Sequence, residues 1–150
     1  MKFAIMSLGC RLNMAEIQSV STELQEAGHE PAGRGEAHIH IINSCGVTTG
    51  SERKTRQLLY QSLRETAGNP DARIIVTGCA AGTERREDNV YYISNDYKHL
   101  IPSLVNDWSL FDTIRTREPS RFAFRAATKS SRTRINLKIQ DGCDQFCSYC

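Results

Sequence analysis

A parallel-sheet α/β fold is what the first two-thirds of this sequence predicts, and three observations carry it. Short β-rich runs alternate with stretches of helical period across residues 1–106. Two helix-start signatures, Asn13-Met14-Ala15-Glu16 and Thr49-Gly50-Ser51-Glu52, each come a few residues after such a run. Gly28 and the Gly68-Asn69-Pro70 cluster then close the helical stretches. Strands alternating with helices imply a parallel sheet covered on both faces.

Taken in order, residues 3–8 read as a buried strand. Asn13 is expected to cap a helix carrying Ile17, Val20, Leu24 and Ala27. Residues 38–42 form a second strand, and Thr49 opens a helix through Leu58, Leu59 and Leu63. Residues 73–77 and 90–94 are the third and fourth strands. Asn95 is expected to cap a last helix with Leu100, Ile101, Leu104 and Val105, Pro102 lying in its early turns. Residues 107–131 read as a basic linker with Pro119 and Ser130-Ser131 but little periodicity. Ile135, Leu137 and Ile139 alternate within residues 134–140, the pattern of a strand opening a further domain over 132–150.

The chain has 150 residues, 39% hydrophobic and 24% charged, enough for one domain that buries roughly 68–70% of its unfolded surface. No run approaches the roughly 20 apolar residues of a membrane span. The short apolar start, followed at once by Gly9-Cys10-Arg11, is no signal peptide. The expectation is a cytoplasmic protein without a membrane partner. The net charge of +2 hides an asymmetry: between Arg115 and Lys138 lie eight basic residues and one acid, net +7, leaving −5 for the rest. Such a stretch suits a phosphate-rich partner, and equally a solvated linker.

The six cysteines carry the chemistry. In a secreted chain they would suggest three disulfides; in a cytosolic chain of this size they suggest metal binding or catalysis. Cys10, Cys45 and Cys79 are 35 and 34 positions apart, whereas Cys143, Cys147 and Cys150 crowd together. Each of the first three follows a strand by a few residues. In a parallel sheet they therefore emerge at the carboxyl edge, where ligands bind, as a metal cluster would require. Cys143-Asp144-Gln145-Phe146-Cys147-Ser148-Tyr149-Cys150 has the spacing C-x3-C-x2-C, which can ligate three irons of a four-iron cluster and leave the fourth open to a small molecule. Zinc would want a fourth Cys or His nearby at ligand spacing, and the nearest histidine, His99, is far upstream; the competing assignment is a zinc site completed by residues beyond position 150.

Residues 140–150 resemble the cluster loop of the radical S-adenosylmethionine methylthiotransferases, most of all the branch acting on threonylcarbamoyladenosine in tRNA. Ser7-Leu8-Gly9-Cys10-Arg11-Leu12-Asn13, Asn43-Ser44-Cys45-Gly46-Val47-Thr48 with Arg53-Lys54, and Thr77-Gly78-Cys79-Ala80 resemble three signatures of that family's N-terminal domain. The resemblance spans the whole chain. It implies an N-terminal α/β domain over 1–106, and a radical S-adenosylmethionine barrel whose first strand and cluster loop are residues 132–150. It further implies two four-iron, four-sulfur clusters: an auxiliary one on Cys10, Cys45 and Cys79, and one on Cys143, Cys147 and Cys150 that chelates S-adenosylmethionine. No catalytic residue beyond these ligands is implied.

The implied reaction adds a methylthio group at C2 of N6-threonylcarbamoyladenosine, position 37 beside the anticodon, with the tRNA anticodon loop as partner and an electron donor and sulfur source supplying the rest. These 150 residues alone are expected to be inactive. Sibling branches acting on isopentenyladenosine tRNA or on a ribosomal protein are the enzymatic alternatives. A non-catalytic iron–sulfur or RNA-binding module is the other. Gly46 stands where the family often has Thr, and Gly82 where Gln often follows.

Arg121, Arg125, Arg132 and Arg134 are the candidate RNA contacts. Trp108, Phe111, Phe122 and Phe124 interleave with the basic residues, as stacking surfaces do and as residues pinning a linker also do. Asn13 matches a family motif but is equally explained as a helix cap, and Arg53 and Lys54 suit either phosphate or solvent. His38 and His40, without an evident partner, read as structural.

Overall fold

Each buried strand divides its residues between two cores. The computed structural model describes residues 1–46, 49–82, 84–125 and 136–141. It contains, in chain order, β1 (Lys2–Ser7), α1 (Arg11–Glu26), β2 (Glu30–Pro31), β3 (Ile39–Ser44), α2 (Thr49–Glu65), β4 (Arg73–Gly78), β5 (Arg85–Glu87), β6 (Val90–Ile93) and α3 (Ile101–Asn106). Short 3-10 turns occupy Arg34–Glu36 and Lys98–Leu100, and a longer one Trp108–Thr116. The six strands form one sheet in the order β2-β1-β3-β4-β6-β5, parallel except for β5.

On one face, Phe3, Ile39, Ile41, Ile75, Tyr91 and Ile93 pack against Ile17, Val20 and Leu24 of α1 and Ile101, Leu104 and Val105 of α3. On the other, Ile42, Ile74, Val76, Val90 and Tyr92 meet Leu58, Leu59 and Leu63 of α2. Period-two alternation along β3, β4 and β6 thus serves two apolar layers, which is why these strands read as continuous hydrophobic runs. The sheet is the mostly parallel one the sequence predicted.

Several details differ. Asn13 does not cap α1: the helix begins at Arg11, Cys10 occupies the N-cap position without a side-chain cap, and Asn13 is buried in the first turn. Asn95 caps nothing, because the last helix starts in two stages, a 3-10 turn from Lys98 and then α3 with Pro102 at its start. β2 and β5 are edge strands of two and three residues, too short for periodicity to register. β5 and β6 form a hairpin closed by Asp88-Asn89, with Asp88 at φ +50°.

The start of the segment read as linker packs onto the domain. Phe111 and Ile114 are buried in the first core, and Tyr91 meets Trp108 and Phe111 at ring-centroid distances of 4.8 and 5.1 Å. Described residues 136–141 contain no strand, and Leu137 and Ile139 are exposed, whereas the alternation there had predicted one. Among the described residues no strand lies beside this segment to complete a ladder.

His40 on β3 is fully buried, its ring nitrogens without hydrogen-bond partners and Nδ1 3.9 Å from Glu65 Oε2. Burial lowers its pKa, against the opposing pull of Glu65; burial lowers that of His99 as well. Below the ordinary value of 6.5 the unfolded chain therefore takes up protons that the native form resists. Stability is expected to be full above pH 6.5 and to fall as pH drops below it, by at most about 1.4 kcal/mol per pH unit for each such proton. Urea denaturation from pH 8 to pH 5 measures this slope. His40→Leu should make it shallower, and an unchanged slope would show that His40 protonates freely in the native state.

Candidate metal centre at the carboxyl edge of the sheet

Ser7, Ser44 and Gly78 end three adjacent parallel strands, β1, β3 and β4, and a cysteine follows each. Cys45 and Cys79 come immediately after their strands; Cys10 is three residues on, at the start of α1. The expectation that the three distant thiols share one sheet edge is met by this topology. Cys10 and Cys79 are exposed and Cys45 half-buried, and none is in a disulfide.

The residues between strand and cysteine tie the three loops together. Asn43 Nδ2 donates to Ser7 Oγ at 3.0 Å and to the Asn13 carbonyl at 3.1 Å, joining the end of β3 to the Cys10 turn. The Ser44 hydroxyl donates to the Thr77 carbonyl at 2.6 Å and accepts from Ala80 N at 3.2 Å, joining it to the Cys79 turn. Both residues are fully buried. Gly46 allows the final approach, since a Cβ there would lie 3.1 Å from the Cys79 carbonyl oxygen. The absent side chain lets the two loops pack this closely.

Two amides face Cys79 Sγ: Asn13 Nδ2 at 3.4 Å and Asn95 Nδ2 at 3.7 Å. Beneath them Lys98 is fully buried, its ammonium 2.7 Å from Glu16 Oε2 and 2.8 Å from Asn13 Oδ1. Burial pushes the Lys98 pKa down, while Glu16 and Cys79 pull it back up. The other oxygen of Glu16 lies 2.7 Å from Lys138 Nζ, which also binds Asp141 at 2.8 Å and the Arg121 carbonyl. Burial opposes the charge of Lys138 too, but its hydrogen bonds to Asp141 and Glu16 outweigh that and hold its pKa above the ordinary value.

Among the described residues no three Cys, His, Asp or Glu side chains are placed to hold one metal ion. Adjacent strands set successive loops about 4.8 Å apart. A cluster of several irons is wider than an ion and suits sulfur donors spread along such an edge. The donor chemistry fits as well, being all thiol, with amide N–H groups directed at one sulfur and a buried cation nearby. A cleft of about 560 Å³ opens beside Cys79 between α2 and the β5–β6 hairpin, with Arg56, Tyr60, Arg85 and Tyr92 in its walls. The Arg85 guanidinium stacks 3.6 Å from the Tyr92 ring centre.

The other expected residues are placed less tellingly. Arg121 pairs with Asp96 at 2.6 Å and Arg125 with Glu26 at 2.7 Å, both on the exposed surface. Cys143, Cys147, Cys150, Arg132 and Arg134 lie outside the described residues. The sequence assigned no role at this site to Asn43, Ser44, Glu16 or Lys98. The first three sit in or beside the cysteine motifs, which was the available signal, whereas nothing around Lys98 marked it.

Comparison with known proteins matches residues 2–96 to the family described as "Uncharacterized protein family UPF0004". The threonylcarbamoyladenosine tRNA methylthiotransferase MtaB of Chlamydia pneumoniae is 32% identical over 150 residues, covering 99% of this chain and 34% of that protein. Its namesake in Thermotoga maritima is 33% identical over 154 residues, covering 97% and 34%. The tRNA-2-methylthio-N(6)-dimethylallyladenosine synthase of Chloroflexus aurantiacus is 26% identical over 152 residues, covering 99% and 32%. The chain spans about a third of the length of these relatives. No helix among the described residues is long and apolar enough to cross a membrane.

Proposed function

Because the chain belongs to family UPF0004, the N-terminal family of the methylthiotransferases, we propose that its function is radical S-adenosylmethionine methylthiolation of tRNA. The substrate position is C2 of N6-threonylcarbamoyladenosine at position 37, the modified nucleoside in the names of several relatives. The work is cytoplasmic, with the anticodon loop as partner. The observation that carries this reading is the arrival of Cys10, Cys45 and Cys79 from three separate motifs at one edge of three neighbouring strands.

In this reading these thiols hold an auxiliary four-iron cluster, and Cys143, Cys147 and Cys150 hold the cluster that binds S-adenosylmethionine. When bound, the pair supplies a radical able to take hydrogen from an unactivated aromatic carbon and a metal on which sulfur waits. The chain's own residues set the geometry around the first of these sites. Asn43 and Ser44 lock the three loops together, and Asn13 and Asn95 direct N–H groups at Cys79. The cleft beside Cys79, with exposed Tyr60 and two arginines in its walls, gives a nucleobase and its phosphates a route to the edge. These 150 residues alone are expected to show no turnover, since the relatives that bear the activity in their names are about three times as long.

The test is iron and sulfide content with Mössbauer spectra after anaerobic reconstitution, for the chain and for its Cys10/Cys45/Cys79→Ala variant. The chain should hold up to two four-iron clusters, and the variant should lose one of them. A variant that keeps all its iron, or a parent that takes zinc in preference, would refute the auxiliary site.

A further inference from the structure

Asn13 sits in the first turn of α1, where a polar side chain is ordinarily solvated, yet it is buried. With the capping role excluded, its contacts need another explanation. An amide can be turned either way, but here its orientation is dictated. Lys98 Nζ can only donate, and it lies 2.8 Å from one end of the Asn13 amide. That end must be the oxygen, so the NH2 group faces Cys79 Sγ, 3.4 Å away. Lys98 is itself held by Glu16 at 2.7 Å, one turn along the same helix. Asn43 fixes the Asn13 backbone from the other side by donating to its carbonyl. Gly9 leaves the space, since a Cβ there would fall 2.4 Å from Asn13 Cβ. Five residues thus combine to aim one N–H at one sulfur.

We propose that Asn13 is a positioning residue for the Cys79 thiolate, oriented by the Glu16–Lys98 pair, and that its N–H···S bond tunes the reduction potential of the cluster Cys79 ligates. The tuning rests on the cluster reading above; the orientation of Asn13 does not. Donors to a ligating sulfur stabilise the more negative, reduced cluster and raise its potential, and a buried cation close behind acts in the same direction. Asn13→Asp keeps the size of the side chain and its pairing with Lys98 but removes the N–H and adds a negative charge. Lys98→Met removes the group that orients the amide, while Glu16 retains Lys138.

Two measurements test this, both on the chain carrying Cys143, Cys147 and Cys150→Ala so that only the auxiliary site remains. In the metal-free protein, the side-chain amide protons of Asn13 should be protected from exchange in NMR spectra. Their resonance should shift in Cys79→Ala, and the protection should fall in Lys98→Met. An amide that exchanges freely and ignores Cys79→Ala overturns the proposal. After reconstitution, redox-titrated EPR should show a lower potential in both Asn13→Asp and Lys98→Met, by about tenfold in the reduced-to-oxidised ratio for Asn13→Asp, or about 59 mV for one electron. Iron content should be unchanged. An unshifted potential at full iron content also overturns it. Should no four-iron cluster assemble in the parent, the cluster reading fails with its tuning, and the NMR result alone decides whether Asn13 is held toward Cys79.

Discussion

Gly78→Ala is expected to unfold the carboxyl edge of the sheet and abolish cluster binding, a larger effect than adding a methyl group at any exposed glycine. Gly78 ends β4 at φ +95°, and a Cβ there would lie 2.2 Å from the Ser44 carbonyl oxygen and 2.7 Å from Ser44 N. Both contacts are to backbone, so no rotamer change relieves them. The left-handed conformation alone costs an L-residue about 1–2 kcal/mol, and overpacking adds about 1–3 kcal/mol. A total of roughly 2–5 kcal/mol is a large share of a small domain's stability. The displaced partner is also the serine that joins the Cys45 and Cys79 turns. Gly28 is the control: its φ is +86°, but nothing lies within 4 Å of its Cβ position, so Gly28→Ala should cost only about 1 kcal/mol. Thermal denaturation compares the two. Equal losses would mean that the backbone around Ser44 yields easily, and a Gly78→Ala protein with full iron would show that the edge need not be rigid to hold a cluster.

The features legible in the sequence were those that repeat locally. Residues 38–42 and 73–77 read as strands because β-branched runs bounded by polar residues have few other uses, and the cysteines' common edge followed from their places just after those runs. What the sequence concealed depended on distance. Lys98 is buried because Glu16, 82 residues earlier, meets it, and no window around Lys98 contains that information. Asn13 misled for the opposite reason. An Asn three residues before a Glu looks like a capping box whether the Asn caps the helix or lies inside its first turn, and the N-cap position here fell to Cys10. Trp108–Thr116 was mostly polar, and two core residues, Phe111 and Ile114, sufficed to pin it to the domain.

Glu16→Leu is expected to destabilise the domain by about 3–5 kcal/mol, and Lys98→Met, added to it, to restore most of the loss. The Lys98 ammonium has no exposed surface, and its partners are Glu16 and the Asn13 amide oxygen. Removing the carboxylate leaves a buried cation with one neutral acceptor, and breaking a buried pair from one side carries that penalty. Removing the lysine instead leaves Glu16 paired with Lys138, so Lys98→Met alone should cost less, about 1–3 kcal/mol for the Asn13 acceptor it leaves without a donor. In the double variant neither charge remains, and the apolar pair fills a similar volume. Replacements of buried ion pairs in this manner are often neutral or stabilising. Lys138 loses Glu16 in that variant but keeps Asp141 at 2.8 Å, so it is not stranded. A double-mutant cycle in urea measures the coupling directly. A Glu16→Leu loss no larger than that of Lys98→Met would mean that Lys98 sheds its proton when its partner is removed, and the burial that lowers its pKa makes that the specific alternative the cycle must exclude. Repeating the cycle at pH 6 separates the two: a lysine that has shed its proton makes the Glu16→Leu loss grow as pH falls, because the unfolded chain carries a proton that the native form resists, whereas a stranded cation costs the same at both pH values.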